Sequence, residues 1–304
     1  MDSASANAGQ RRPLIYGEVL FDAFSDGQEV MGGAPFNVAW HLHGFGAAPL
    51  FISRVGRDRP GEVVLDSMRD WGMTTAGMQI DADAPTGRVE IALHAGGHSF
   101  DILPDRAYDR IDAHDALAAA RSASPALLYC GSLITRAPES RASLAELRAA
   151  LGAPLFVDIN LRAPWWDAAR VEELMHAAHW LKLNDEELST LRGSADPATV
   201  EAQAARLRDE HGLEWVILTR GADGASCIGT EIHRGLAPRV DGFVDSVGAG
   251  DAFSAVTILG LLRGWDMALT LERALGFAAR ICQQRGALQA DRDLYAGLRK
   301  DWNV

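Results

Sequence analysis

No apolar run in this chain of 304 residues reaches membrane-spanning length, and Met1 to Arg12 contains no apolar signal core. Residues 1–12 read as a short disordered tail on a soluble protein. No lysine and arginine cluster stands out, and the formal net charge is −12, which argues against nucleic acid as a partner and for a small ligand. Cysteine is scarce: Cys130, Cys227 and Cys282 are far apart, without the spacing of a metal or redox site. Buried free thiols in a reducing cytoplasm are the simplest account. There is no internal repeat, no low-complexity segment and no linker rich enough to divide the chain, so residues 13–304 read as one large domain. No Gly-x-Gly-x-x-Gly follows the first apolar strand, which argues against a dinucleotide-binding oxidoreductase.

What is present is 48% hydrophobic residues, ample for a large core. Pro13 to Leu20 reads as an apolar strand, and Phe36 to about His43 as a helix ending at Gly44. Thr86–Leu93 and His98–Ile102 alternate around Ala95-Gly96-Gly97, which predicts a hairpin with one wet face. From Ala126 onward, apolar strands at Leu127–Cys130, Leu155–Val157, Trp180–Leu183 and Trp215–Leu218 alternate with helical stretches. Those stretches lie near Arg141–Leu151, Asp167–Ala178 and Ala198–His211. The alternation predicts an α/β fold with a parallel sheet covered on both faces and a small antiparallel appendage. A helical region from Asp251 to about Arg285, broken near Gly264, follows.

The run Asp245-Ser246-Val247-Gly248-Ala249-Gly250-Asp251-Ala252-Phe253 carries the most chemistry. Gly248 and Gly250 permit backbone N–H groups to converge on an anion at a helix N-terminus. Asp251 falls in the first helical turn, where it would favour the helix dipole by about 0.3–1 kcal/mol but repel a bound phosphate. The conflict resolves if Asp251 serves an acceptor hydroxyl as that group attacks a phosphoryl donor. The alternative is a glycine turn with a capping Asp.

A second turn, Gly32-Gly33-Ala34-Pro35-Phe36-Asn37, opens a helix with an Asn in its first turn; the Asn either meets a polyol hydroxyl or caps the helix. Asp22 follows the first strand, at the end of an α/β sheet where ligands bind, or is a solvated loop residue. Asn184 and Glu187 share a helical face after a strand. They form a capping box, or Glu187 acts through water on a magnesium ion. Thr219, Gly221 and Gly224 pass close to a nucleotide or make a plain hairpin turn. Arg162, near Asp158, reaches phosphate or a sugar oxygen, or pairs with Asp158. His41 and His43 do not share a face, and His176 and His179 flank a packed helix rather than a metal. Trp165-Trp166 reads as a core plug.

Taken together, Gly32 to Asn37, Asp245 to Asp251, the Asn184/Glu187 pair and Thr219-Arg220-Gly221 resemble the ribokinase-like, or phosphofructokinase B, sugar kinases over nearly the whole chain. The resemblance implies a three-layer sandwich with a central mostly parallel sheet. It also implies a small antiparallel β lid within about 13–35 and 84–105, often the surface of a homodimer. In that family the carboxylate matching Asp251 is the base, and amides around Gly248, Ala249 and Gly250 form the anion hole. Residues matching Asp22, Gly32, Gly33 and Asn37 bind the sugar. ATP with Mg2+ is implied as donor, and K+ is expected near Asp245, Val247 and Ala287. Ser246 stands where Thr is usual, and Arg59-Pro60 where an aromatic residue often precedes Gly61. Gly-Gly-Ala-Pro with Asp158-Ile159-Asn160-Leu161-Arg162 is most similar to bacterial fructokinases. A 2-keto-3-deoxygluconate kinase is the alternative, for which Arg57, Arg88 and Arg162 offer positive charge. A non-catalytic sugar-binding relative would require a broken Asp251, anion hole or magnesium ligand, and each is intact.

Overall fold

The computed structural model describes residues 12–94, 97–193 and 199–304. The predicted tail as far as residue 11, the hairpin tip Ala95-Gly96 and Ala198 lie outside them. The strands are β1 (Pro13–Tyr16), β2 (Leu20–Phe24), β3 (Glu29–Gly32), β4 (Leu50–Gly56), β5 (Met78–Asp81), β6 (Gly87–His94), β7 (Gly97–Ile102), β8 (Leu127–Gly131), β9 (Leu155–Asp158), β10 (Trp180–Asn184), β11 (Trp215–Thr219), β12 (Ala225–Ile228) and β13 (Ile232–Gly235). The helices are α1 (Ala34–Gly44), α2 (Arg59–Trp71), α3 (Ala113–Ala123), α4 (Pro138–Leu151), α5 (Ala168–Ala177), α6 (Asp185–Arg192), α7 (Val200–His211), α8 (Ala249–Arg263), α9 (Met267–Ile281) and α10 (Arg292–Trp302).

Among the described residues, nine strands form one sheet in the order β13-β12-β11-β10-β9-β8-β1-β4-β5. Pairing is parallel from β11 to β5, and β12 and β13 are added antiparallel at one edge. Side chains alternate between two cores because strand residues point to opposite faces. Ile15, Phe51, Tyr129, Phe156 and Ile217 enter a core with α1, α2, α8, α9 and α10. Their neighbours Leu14, Tyr16, Leu128, Val157 and Leu218 enter a second core, with α3 to α7. The central sheet is thus apolar on both faces, as a sheet sandwiched between helices must be.

The other four strands form a small sheet in the order β3-β2-β6-β7, whose two antiparallel hairpins are joined by a parallel β2–β6 pair. The predicted single strand Pro13 to Leu20 is therefore two pieces. β1 belongs to the large sheet, and the chain turns at Gly17, whose N–H donates to Ile52 O, before β2 starts the small sheet. Buried residues continue through the turn, Glu18 among them, with apolar residues on both sides, which is why the pattern alone reads as one strand. The predicted break near Gly264 is present: Gly264 ends α8 in the left-handed conformation (φ 69°) and Asp266 caps α9. Elements unassigned from the pattern include β3, β4, α2, β5, α3, β13 and α10. Cys130 and Cys227 are buried and free, whereas Cys282 is only half-buried.

Arg136 ties the end of the small sheet to the body. Its guanidinium donates to both carboxylate oxygens of Asp109, at 2.8 and 2.7 Å, and to Leu103 O at 2.8 Å just beyond β7. The ring faces of Tyr108 and Trp165 lie 5.0 and 4.8 Å from its Cζ. Both charged side chains are under 8% exposed. Removing one partner of such a pair strands the other without solvent. Asp109→Ala is expected to lower unfolding stability by about 3–5 kcal/mol, read from urea denaturation. A loss below about 1 kcal/mol, the range of an exposed pair, would show that the contact does not anchor the small sheet.

Candidate active site

A cavity of about 450 Å³ opens over the carboxyl ends of the parallel strands, between the large sheet and the small one. Open α/β sheets bind ligands at this edge. Leu20, Val89, Phe100 and Ile102 of the small sheet form an apolar wall. The opposite side carries Asp158, Lys182, Asn184 and Thr219 from the ends of β9, β10 and β11. A wider groove of about 1020 Å³ lies elsewhere, where Arg54 pairs with Asp81 and Arg136 with Asp109.

Two glycine turns position the candidate reactive groups. Gly33 precedes α1 with φ 109°, and a Cβ there would lie 2.8 Å from Glu18 O. Gly248 precedes α8 with φ 79°, and a Cβ there would lie 2.3 Å from that of Ala287. Neither position tolerates a side chain, so both chains approach closely and both helices start at the cavity. Neither glycine supplies a side-chain cap, and the Asn and Asp just inside the helices are not caps. Instead Asn37 Nδ2 donates to Asp251 Oδ2 at 2.7 Å. That contact removes both capping alternatives left open by the sequence.

Asp251 retains some exposure to the cavity. Burial raises its pKa to about 7; the Asn37 hydrogen bond opposes the rise, Asp158 adds to it, and Lys182 and Arg162 counter it. A carboxylate poised near neutrality can take and return a proton. The first turn of α8 leaves its N–H groups without helical acceptors, which suits an anion. Gly248 and Gly250 line the cavity, whereas the Ala249 N–H is bonded to Ser246 O at 3.2 Å.

The sugar-side candidates converge. Asp22, Gly33, Asn37 and Arg162 line the cavity. Gly32 lies beneath, and a Cβ on it would be 3.9 Å from both Asp22 Oδ2 and Asn37 Oδ1. Any side chain there would fill the space between those two acceptors. Asn37 Oδ1 and Glu18 Oε2 are buried without a hydrogen-bond partner among the described residues. Burial raises Asp22 to about 6 against the pull of Arg162, and raises Glu18 to about 7. Unpaired buried acceptors are costly until a ligand hydroxyl or water meets them. Of the three arginines considered for a ketoacid, Arg162 alone among the described residues lines the cavity; Arg88 pairs with Glu29.

Asp158 pairs with Lys182, not with Arg162: Nζ donates to its two oxygens at 2.8 and 2.9 Å. Ser254 Oγ adds a 2.7 Å bond. Burial alone would lower Lys182, but the adjoining Asp158 carboxylate outweighs it and the net shift is upward. Sequence reasoning missed Lys182 and Glu18. A signal existed for the first: the chain has only two lysines, and Lys182 interrupts an otherwise apolar strand.

The Asn184–Glu187 capping box is present, with Glu187 N donating to Asn184 Oδ1 and Asn184 N donating to Glu187 Oε2. Glu187 Oε1 also accepts from Leu161 N at 3.1 Å. The carboxylate is thereby fixed at the cavity, and each oxygen keeps a lone pair for a metal-bound water. Burial raises Glu187 despite those N–H donors. Thr219, Ser246 and Val247 line the cavity, while Gly221 and Gly224 form the β11–β12 hairpin turn outside it. Gly224 is required there because a Cβ would meet Gly235 O at 2.0 Å. Asp245 accepts from Val247 N at 3.1 Å, and its own N–H donates to Cys282 O.

This arrangement has counterparts among known proteins. Fructokinase-2 of Oryza sativa subsp. japonica is 29% identical over 279 residues, covering 83% of this chain and 81% of the relative. The fructokinase of Klebsiella pneumoniae is 28% identical over 261 residues, covering 81% and 83%. The crystal structure of a fructokinase from Xylella fastidiosa with bound ATP superposes with a TM-score of 0.82 at 24% identity, over 97% of this chain and all of that one, and so shares the fold. Residues 12–293 match the pfkB family carbohydrate kinases, and the chain belongs to that family.

Proposed function

We propose that this carbohydrate kinase is an ATP-dependent fructokinase. The observation that carries the reading is Asp251, held by Asn37 at 2.7 Å, raised to about 7, and seated in the first turn of α8. Asp251 accepts the proton of a sugar hydroxyl as that oxygen attacks the γ-phosphoryl group of ATP. The N–H groups of the turn at Gly248 and Gly250 meet the charge that develops on the transferred group. Asp22, Asn37 Oδ1 and Glu18 accept hydrogen bonds from sugar hydroxyls, which fits a neutral polyol better than an acid. Glu187 would hold Mg2+ through water, where the ion neutralises phosphate charge. The oxygens near Asp245 and Val247, beside Ala287, are the proposed K+ site. Arg162 favours the second reading, a 2-keto-3-deoxygluconate kinase, because its guanidinium faces the same cavity as Asp22.

Asp251→Asn is expected to keep sugar and ATP affinity by calorimetry while turnover falls by about 10²–10⁴-fold or more. In the parent, kcat/KM should decline below about pH 7, because protonation of Asp251 removes the acceptor. Full turnover by the variant would remove Asp251 from the chemistry.

Fructose is expected to give a higher kcat/KM than 2-keto-3-deoxygluconate, ribose or adenosine, and Asp22→Ala to erase most of the preference. Sites built to bond hydroxyls reject ligands that lack them by roughly 10⁴-fold. Steady-state kinetics on the four substrates, repeated with Arg162→Gln, separates the two readings. A ketoacid advantage lost in the arginine variant would select the second.

A further inference from the structure

Far from the cavity, toward the amino ends of β10 and β11, three side chains with metal-binding atoms meet. Glu172 and His176 lie four residues apart on α5 and so share a face. His211 ends α7, the next helix but one, and its ring sits 4.5 Å from that of His176 at 62°. Glu172 Oε1 is 3.3 Å from His176 Nε2 and 3.6 Å from His211 Nε2. The two Nδ1 atoms are 3.3 Å apart. One ligand atom of each residue lies within 4.8 Å of the others. Tetrahedral coordination at about 2.0–2.1 Å separates ligand atoms by roughly 3.3–3.4 Å, close to the two distances from Glu172 Oε1 to the imidazole Nε2 atoms, while the remaining edge, within 4.8 Å, closes by rotation of the exposed His176 side chain.

A second observation points the same way. The His211 side chain is 2% exposed, and its Nε2 has no hydrogen-bond partner among the described residues. A buried, unpartnered imidazole nitrogen beside a carboxylate is costly unless something fills the gap. The sequence pair His176 and His179 is not the cluster, because His179 Nδ1 is taken by Leu155 N at 3.2 Å.

We infer that Glu172, His176 and His211 bind a divalent transition-metal ion of the Zn2+ class, with water in the fourth position, clamping α5 to α7. The kinase chemistry does not use this site. The ligand set, two imidazoles and one carboxylate, suits Zn2+ or Co2+ and not Mg2+.

The test uses the full chain, stripped with chelator and kept in excess Mg2+ at neutral pH so that the cavity carboxylates are occupied. Zn2+ titration by calorimetry is expected to show one equivalent bound, and Co2+ to give the visible absorption of a tetrahedral site. Zn2+ should also raise the thermal midpoint. His176→Ala and Glu172→Gln, both at exposed side chains, should weaken Zn2+ by at least about 100-fold, the upper range even for lost outer-shell partners. Both should abolish the thermal shift and leave Mg2+-dependent turnover unchanged. Absence of saturable Zn2+ binding, or parental affinity in His176→Ala, which would place the ion on Cys282 or in the cavity, overturns the inference.

Discussion

One hydrogen bond, from Asn37 Nδ2 to Asp251 Oδ2, joins residues 214 apart in sequence and fixes the start of α1 against the start of α8. Each helix begins at a glycine whose backbone no other residue could adopt in that space, so both first turns arrive at the same point above the sheet. The bond does two things at once. It orients the carboxylate, and by stabilising the charged form it limits the rise that burial imposes on the Asp251 pKa. Without the donor, burial and the nearby Asp158 would hold Asp251 protonated further into the alkaline range, and the proton acceptor would be lost at neutral pH.

The charge balance of the cavity follows from that constraint. Glu18, Asp22, Asp158, Glu187 and Asp251 all face it, against Lys182 and Arg162. Lys182 is committed to Asp158, so the pair is close to neutral and spares Asp251 a second unbalanced carboxylate. Glu187 is held by two backbone N–H groups. What remains for a ligand is a set of acceptors at Asp22, Glu18 and Asn37 Oδ1, and a helix N-terminus that prefers an anion. A polyol at one end and a phosphate at the other satisfy both.

Much of this was legible in sequence. The glycine turns and Asp251 could be read because their chemistry is local: residue types, order and spacing carry it. The parallel strands from Leu127 onward could be read because apolar runs alternate with helical periodicity. The Asn37–Asp251 contact was hidden, since spacing within a helix says nothing of a partner 214 residues away. So was the split of Pro13 to Leu20 into two sheets, because apolar residues are buried on both sides of the short Gly17-Glu18 turn. Gly224 was ambiguous for a related reason. Its need for space comes from the backbone of β13, not from a nucleotide, and that neighbour is visible only in the fold. The role of α10 was equally remote, resting on Tyr295, whose hydroxyl lies 2.7 Å from His41 Nδ1 across 254 residues.

In the proposed mechanism, packing makes Asp251 a base poised at neutrality. Carboxyl 13C NMR of the aspartate-labelled protein, with the Asp251 signal assigned by its loss in Asp251→Asn, measures this directly. A titration midpoint near pH 7 is expected. A midpoint at the ordinary aspartate value of about 4 would contradict it.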